Sequence, residues 1–226
     1  MNINDLTNLF LEFNKHGEML HNNQNLISKS FESFLVENSM ISILSTNFGN
    51  VNISANNNNL MTMFSLEPKK NITWFDFINL YGHADYRGRP SFSATITNFK
   101  NTSNGLFFEI EDDKLVIFKN NNSINEKIAH FNILDIINKF SDKYRNRMIL
   151  ALYNINKVDK TVLFSEVYQF ANFSKTNLIQ CINSGLITID IQANLAPNGS
   201  VHTHGTLFRI RKKSFKFMFE EVKRIL

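Results

Sequence analysis

Two arginines one residue apart, Arg209 and Arg211, flank Ile210 and follow Phe208 near the end of the chain. Alternation along a strand puts both guanidiniums on one face, opposite Phe208 and Ile210. Two forked guanidiniums side by side suit phosphates or guanine edges. Just upstream, His202-Thr203-His204 places two imidazoles on one strand face. No third or fourth metal ligand accompanies them in the sequence, so they read as polar or nucleic-acid-facing residues rather than a metal site. Cys181 lies among Leu178, Ile179 and Ile182 on a predicted helix and reads as a small buried hydrophobe. The densest acidic cluster is Glu109, Glu111, Asp112 and Asp113. Converging carboxylates hold Mg²⁺ for phosphodiester cleavage, but these fall at a hairpin tip, where Asp serves the turn itself. The chain has no phosphate-cradling glycine loop, no Gly-x-Ser-x-Gly elbow and no His-Glu-x-x-His helix.

The charge around these residues is uneven. Residues 205–226 carry seven basic side chains (Arg209, Arg211, Lys212, Lys213, Lys216, Lys223 and Arg224) against Glu220 and Glu221. That local excess exceeds the net charge of +4 for the whole chain. A second basic stretch, 69–100, has Lys69, Lys70, Arg87, Arg89 and Lys100 against Asp76 and Asp85. Local basic patches are the electrostatic footprint of a phosphate-binding surface.

The elements that must position these groups follow from periodicity. Leu6, Leu9, Phe10 and Phe13 recur at helical spacing, as do Ile27, Phe31, Phe34 and Leu35, giving a helix near 24–38. Short strands are predicted near 40–45, 50–55 and 60–66, and a short helix near 72–81 ends at Gly82. Gly88-Arg89-Pro90 is a loop. Strands follow at 91–99, 106–110 and 115–118, the last two flanking the hairpin tip Glu111-Asp112-Asp113-Lys114. A helix near 130–141, long strands at 148–156 and 161–170, and a helix near 175–183 with Gly185 as its terminator come next. The chain is then expected to run through strand 186–191, a Pro197-Asn198-Gly199 loop, strand 206–211 and a final helix 214–226. Strands and helices mixed along the chain mean α/β or α+β.

Composition supports a folded chain. The 226 residues include 22 Phe, only 3 Pro and 8 Gly, which argues against disorder or a linker-rich polypeptide. One cysteine excludes a disulfide framework. Asparagine is in excess, with 34 residues, usage that often reflects an AT-rich genome. No apolar run reaches the roughly 18 residues of a membrane helix, and the start has neither the basic end nor the apolar stretch of a signal peptide. The expectation is a cytoplasmic globule of one domain, residues 1–226, with no membrane association.

At this point several stretches, taken in order, resemble the MvaI/BcnI restriction endonucleases, relatives of the mismatch-repair nuclease MutH. The ending His204-Gly205-Thr206-Leu207-Phe208-Arg209-Ile210 is similar to that family's terminal motif. Leu80-Tyr81-Gly82 with Gly88-Arg89-Pro90-Ser91 resembles its helix-to-strand segment, and Asn104-Gly105-Leu106 through Lys114 its hairpin. Ile179 through Asp190 resembles the helix and strand before the terminal motif. The resemblance covers residues 24–226. It implies a PD-(D/E)XK-type core, a mixed sheet flanked by helices, gripping duplex DNA and cutting it with Mg²⁺ at short CG-rich sites, as part of restriction-modification and phage defence.

The family's metal site needs an upstream Glu, an Asp, and Glu-x-Lys on the next strand. Residue by residue, Glu32 fits the first. Asn47-Phe48-Gly49 stands where the family has Asp-x-Gly, and Asn52-Ile53-Ser54 where it has Glu-x-Lys. In this register the aspartate, glutamate and lysine of the pattern are replaced by Asn47, Asn52 and Ser54.

Two lost carboxylates remove negative charge facing a dication, and serine supplies no ammonium, so no cleavage by the usual mechanism is expected. The leading expectation is therefore a sequence-specific duplex-DNA-binding protein, a non-catalytic or specificity subunit of a restriction system, needing no cofactor. Its partners would be DNA, a catalytic endonuclease subunit and a cognate DNA methyltransferase. Arg209, Arg211, His202, His204 and Lys212 would face DNA, with Lys69, Lys70, Arg87 and Arg89 on the opposite backbone. The alternatives are an active Mg²⁺-dependent endonuclease using Glu32, Glu109, Glu111 or Asp112, and an interaction protein that kept the fold and lost DNA.

Overall fold

The computed structural model describes residues 3–16, 50–56, 59–98, 102–121, 124–144, 147–156, 158 and 161–226. They fall into two compact units between which the chain passes four times: Met1–Asn58, Lys143–Ser174 and Phe219–Leu226 in one, Asn59–Asp142 and Lys175–Met218 in the other. The architecture is mixed α/β, with three sheets flanked by helices.

In its described residues the first unit is a four-stranded sheet covered by a helix. Helix α1 (Ile3–His16) carries the predicted Leu6, Leu9, Phe10 and Phe13 stripe. It packs that stripe on Ile149, Ala151, Tyr153, Val162, Phe164 and Val167. Phe10 meets the Phe164 ring edge-on at 5.0 Å. Burying these four side chains of α1 contributes about 1.5–3 kcal/mol each. Asn14 fixes the helix along the sheet: its amide donates to the Phe164 carbonyl and accepts from the Phe164 N–H. The sheet order is β1 (Asn50–Ala55), β8 (Arg147–Asn156), β9 (Thr161–Phe173), β12 (Phe219–Arg224). Strand β1 runs parallel to β8, and the other pairs are antiparallel.

The second unit holds the other two sheets. One is five-stranded, in the order β2 (Leu60–Ser65), β11 (Val201–Arg211), β10 (Ile187–Leu195), β4 (Pro90–Ile96), β3 (His83–Ala84). The other is the meander β5 (Leu106–Glu111), β6 (Lys114–Asn121), β7 (Ile124–Asn132). Aromatic rings knit the core: Phe64 stacks on Phe208 at 4.7 Å, Phe131 meets Phe208 at 5.0 Å, and Phe77 meets Phe92 at 4.8 Å. Helix α2 (Trp74–Tyr81) starts at Thr73, whose hydroxyl caps the Asp76 N–H at 3.2 Å, and stops at Gly82 as expected. Helix α4 (Lys175–Asn183) buries Leu178, Cys181 and Ile182. It ends in a left-handed Gly185 (φ 71°), with the Leu186 N–H returning to the Cys181 carbonyl.

Three expectations are corrected. The final helix 214–226 is instead a 3-10 helix, Lys212–Met218, followed by strand β12. Glu220, Glu221, Lys223 and Arg224 are good helix formers, but the edge of β9 offers unpaired backbone groups that β12 satisfies from Phe219↔Phe173 to Arg224↔Tyr168. The helix expected from 130 starts at Ile133, as α3 (Ile133–Tyr144), because 124–132 is β7. Residues 124–127 are all exposed, so no alternation marked them as a strand. Strands β10 and β11 are also longer than expected, closing on the loop 196–200. The helix near 24–38 and the strand near 40–45 lie outside the described residues.

Candidate nucleic-acid interface

The five-stranded sheet has two chemically distinct faces. Phe64, Phe92, Ile96, Ile189, Ile191, Phe208 and Ile210 are buried on one. Strand alternation gives the other face to Thr62, Ser93, Thr95, Thr188, Asp190, Gln192, Arg209 and Arg211. Of these, Thr62, Ser93, Thr95, Gln192 and Arg211 are exposed. The register puts Arg209 between Thr62 and Thr188, and Asp190 between Leu207 and Thr95.

Arg209 is held rather than loose. Its Nη1 donates to Asp190 Oδ2, and its Nε to Thr62 Oγ1 at 3.3 Å. Asp190 is 5% exposed, while the Arg209 side chain is 33% exposed. The buried carboxylate thus anchors one side of a fork that still reaches solvent. Arg211, two residues on, is exposed beside Leu60. His202, opposite Asn194, falls on the same face at the far end of β11. The stretch from His202 to Arg211 spans about 30 Å of strand. Between them the strand bulges: Ile191 pairs with Thr206 but Ala193 with Thr203, and Gly205 takes φ 77°. That bulge sets which face His202 joins. His204 belongs to it by backbone, and its side chain lies outside the described atoms.

The other basic residues form separate groups. Arg87 and Arg89 sit in the turn between β3 and β4, built on Asp85. One carboxylate oxygen accepts the Arg87 and Arg89 N–H groups (2.8 and 3.0 Å). The other takes Arg89 Nε and Nη2 (2.9 and 2.7 Å). The Arg89 guanidinium holds the Asp85 carboxyl down to about 2. At the tip Tyr86 is 85% exposed, and the Arg87 guanidinium lies 5.0 Å from its ring centre. Lys69 and Lys70 lie elsewhere: Lys69 pairs with Asp135 at 3.6 Å, and Lys70 covers the Trp74 ring at 4.2 Å. Lys212 is 7% exposed at the start of the 3-10 helix, and burial pushes its ammonium pKa down. It is a core-facing lysine, not a groove-facing one.

Of the four positions carried over from the nuclease pattern, Glu32 and Asn47 lie outside the described residues. Asn52 and Ser54 are on β1, opposite Leu150 and Leu152 of β8. Val51, Ile53 and Ala55 pack toward α1, so Asn52 and Ser54 take the other face. Asn52 is hydrogen-bonded to the hydroxyl of fully buried Tyr144, whose pKa burial pushes up. The same face carries Glu166, opposite Leu152. Its carboxylate accepts from the Tyr168 hydroxyl and from the Asn56 amide (3.0 Å). A dication would meet an amide and a hydroxyl at 52 and 54, with the nearby Glu166 carboxylate engaged by neutral donors. These residues do not fit the metal the pattern implies. Among the described residues no three His, Cys, Asp or Glu side chains are grouped to hold a metal. Glu111 instead bonds Lys127 at 2.5 Å, and Asp112 takes φ 51° in the turn.

Sequence reasoning missed Asp190, Thr62, Tyr86 and Glu166. Asp190 alone had a usable signal, the one acid on the polar alternate of β10 with Thr188 and Gln192, between isoleucines whose burial allows it only with a partner.

Residues 47–219 match the model of the MvaI/BcnI restriction endonuclease family. Two solved structures are similar over the whole chain. A restriction endonuclease MvaI–cognate DNA substrate complex has TM-score 0.71 and 22% identity, covering 100% of both chains. Restriction endonuclease MvaI in the absence of DNA has TM-score 0.65 and 20% identity, covering 100% of this chain and 99% of that one. No curated protein matches. With a family model covering more than half its length, the chain belongs to the MvaI/BcnI restriction endonuclease family.

Proposed function

We propose that this protein binds duplex DNA in a sequence-specific manner and has lost the hydrolytic centre of its family. It would act as the non-catalytic, site-reading subunit of a restriction system, beside a cutting subunit and a cognate methyltransferase. One observation carries this reading: an open polar sheet face with Arg209 fixed by Asp190 and Thr62, in a chain whose nuclease positions 52 and 54 hold Asn and Ser. A pre-oriented guanidinium loses little entropy on meeting a guanine edge, and suits its two acceptors. The solved MvaI–DNA complex, similar over the full chain, supports duplex DNA as the ligand. Arg211 and His202 extend the contact along β11. Arg87, Arg89, Lys69 and Lys70 supply phosphate contacts, and Lys212 drops out of this set. Mg²⁺ would matter only to a cleaving relative, whose metal needs carboxylates that positions 52 and 54 do not offer.

Salt dependence tests this proposal. Neutralising about five phosphates gives log K against log[salt] a slope of about −4 to −5. An affinity indifferent to salt, or none for any duplex, overturns the reading.

A further inference from the structure

A pocket of about 310 Å³ in the second unit shares no lining residue with the Arg209 face and is rich in lysine. Its walls come from three segments. The β5–β6 hairpin contributes Glu111 and Lys114, and β7 contributes Lys127 and His130. Lys69 and Lys70 come from the segment before α2. Their placement is fixed by backbone pairing. Lys69 and His130 exchange two backbone hydrogen bonds, 2.8 and 2.9 Å, and His130 stands opposite Val116 on β6, two residues from Lys114. The floor is Val116, Ile128 and Ala129.

Among the lining groups positive charge is in excess: four ammoniums stand against the carboxylates of Glu111 and Asp112, with Glu67 acting on Lys70, Asp113 on His130 and Asp135 on Lys69 from beside the pocket. Lys127 is taken by Glu111 at 2.5 Å, and Lys69 leans toward Asp135 at 3.6 Å. Lys70 lies over Trp74, and neither it nor Lys114 has an ion-pair partner among the described residues. Cations gathered on a partly apolar floor repel one another, and an entering anion relieves that repulsion. The excess of positive charge matches a phosphate group, whose several acceptor oxygens can engage several ammoniums at once. The volume admits the group together with an attached sugar.

We propose that this pocket is a phosphate-binding site. It reuses Lys69 and Lys70, which the duplex-DNA reading already gives phosphate contacts, but it requires only a phosphate group, which can belong to a DNA backbone, to a 5′ strand end or to a free nucleotide. His130 reports its occupancy. Burial, then Lys114 and Lys69, push the imidazole pKa down, against a smaller opposite pull from Asp113. Lys70, Lys127, Glu111 and Asp112 complete the charged groups around it, with Asp135 behind Lys69. A bound anion favours the imidazolium, so binding takes up a proton and tightens as pH falls through the raised pKa.

The test follows the His130 ring resonances through a pH titration in sodium chloride and in inorganic phosphate at equal ionic strength. Phosphate is expected to raise the His130 pKa by about one unit, equivalent to about tenfold tighter binding by the protonated form. In Lys114→Ala the phosphate-induced rise is expected to shrink, and in His130→Gln phosphate affinity is expected to keep only the pH dependence of phosphate's own second ionisation. Superimposable His130 titrations with and without phosphate overturn the proposal, as does an undiminished rise in Lys114→Ala. Short duplexes then identify the source. A response to both 5′-phosphorylated and 5′-hydroxyl duplexes assigns a backbone phosphate, and a response to the first alone assigns a strand end. A response to inorganic phosphate with neither duplex assigns a free phosphate or nucleotide. Failure of the duplex reading would appear as absent DNA binding while the inorganic-phosphate response persists.

Discussion

Arg209 separates a held guanidinium from a merely basic tail. Two of its donors are committed within the sheet, one to a buried carboxylate, so its orientation exists before any ligand arrives. In the proposed function, Arg209→Ala should weaken binding to the preferred duplex by about 1–3 kcal/mol and relax preference at one base position. Arg87→Ala should instead weaken preferred and random duplexes alike, because an exposed turn arginine serves phosphates. Competition between a selected and a random duplex separates the two, and equal losses for both variants would remove the base-reading role of Arg209. The Arg87 turn holds its shape at any ordinary pH. Asp85 has a depressed pKa, so its contribution is present above the usual carboxylate range and is lost as pH falls through about 2.

At the scale of the element, β11 carries the DNA contacts of the proposed function, and Gly205 sets its geometry. The residue has φ 77°, yet a Cβ there would meet nothing closer than Glu67 Oε1 at 3.9 Å. Gly205→Ala therefore meets a conformational cost of about 1–2 kcal/mol and no steric one. Denaturant unfolding should show that loss; an unchanged midpoint would mean that the bulge is not under φ constraint. Much of this layer was legible in the sequence. The α1 stripe, the helices ending at Gly82 and Gly185, and the alternation of Phe208, Arg209, Ile210 and Arg211 are local signals, and the fold obeys them. Strands β7 and β12 were not legible, because their status comes from neighbours: one completes a meander with exposed side chains, the other caps the edge of β9. The site was legible in the same proportion. The arginine pair showed in the spacing, but its Asp190 and Thr62 partners come from strands whose register no local pattern states. Lys212 looked like its basic neighbours until the 3-10 helix buried it.

For the whole molecule, the fold is shared across the full length of a distant relative, while in the proposed register positions 52 and 54 hold Asn and Ser rather than an acid and an amine. In the proposed function the scaffold keeps a reading face without metal ligands, which suits recognition in a shared system where a second subunit cuts. The asparagine excess fits this account in part: in the proposed register Asn52 stands in place of an acid, and it bonds buried Tyr144, a structural duty. The most direct measurement incubates the pure protein with Mg²⁺ and mixed plasmid or phage DNA, following fragments and gel mobility together. The account predicts intact DNA with retarded migration. Discrete, reproducible fragments would contradict it and mark the protein as a cutting enzyme.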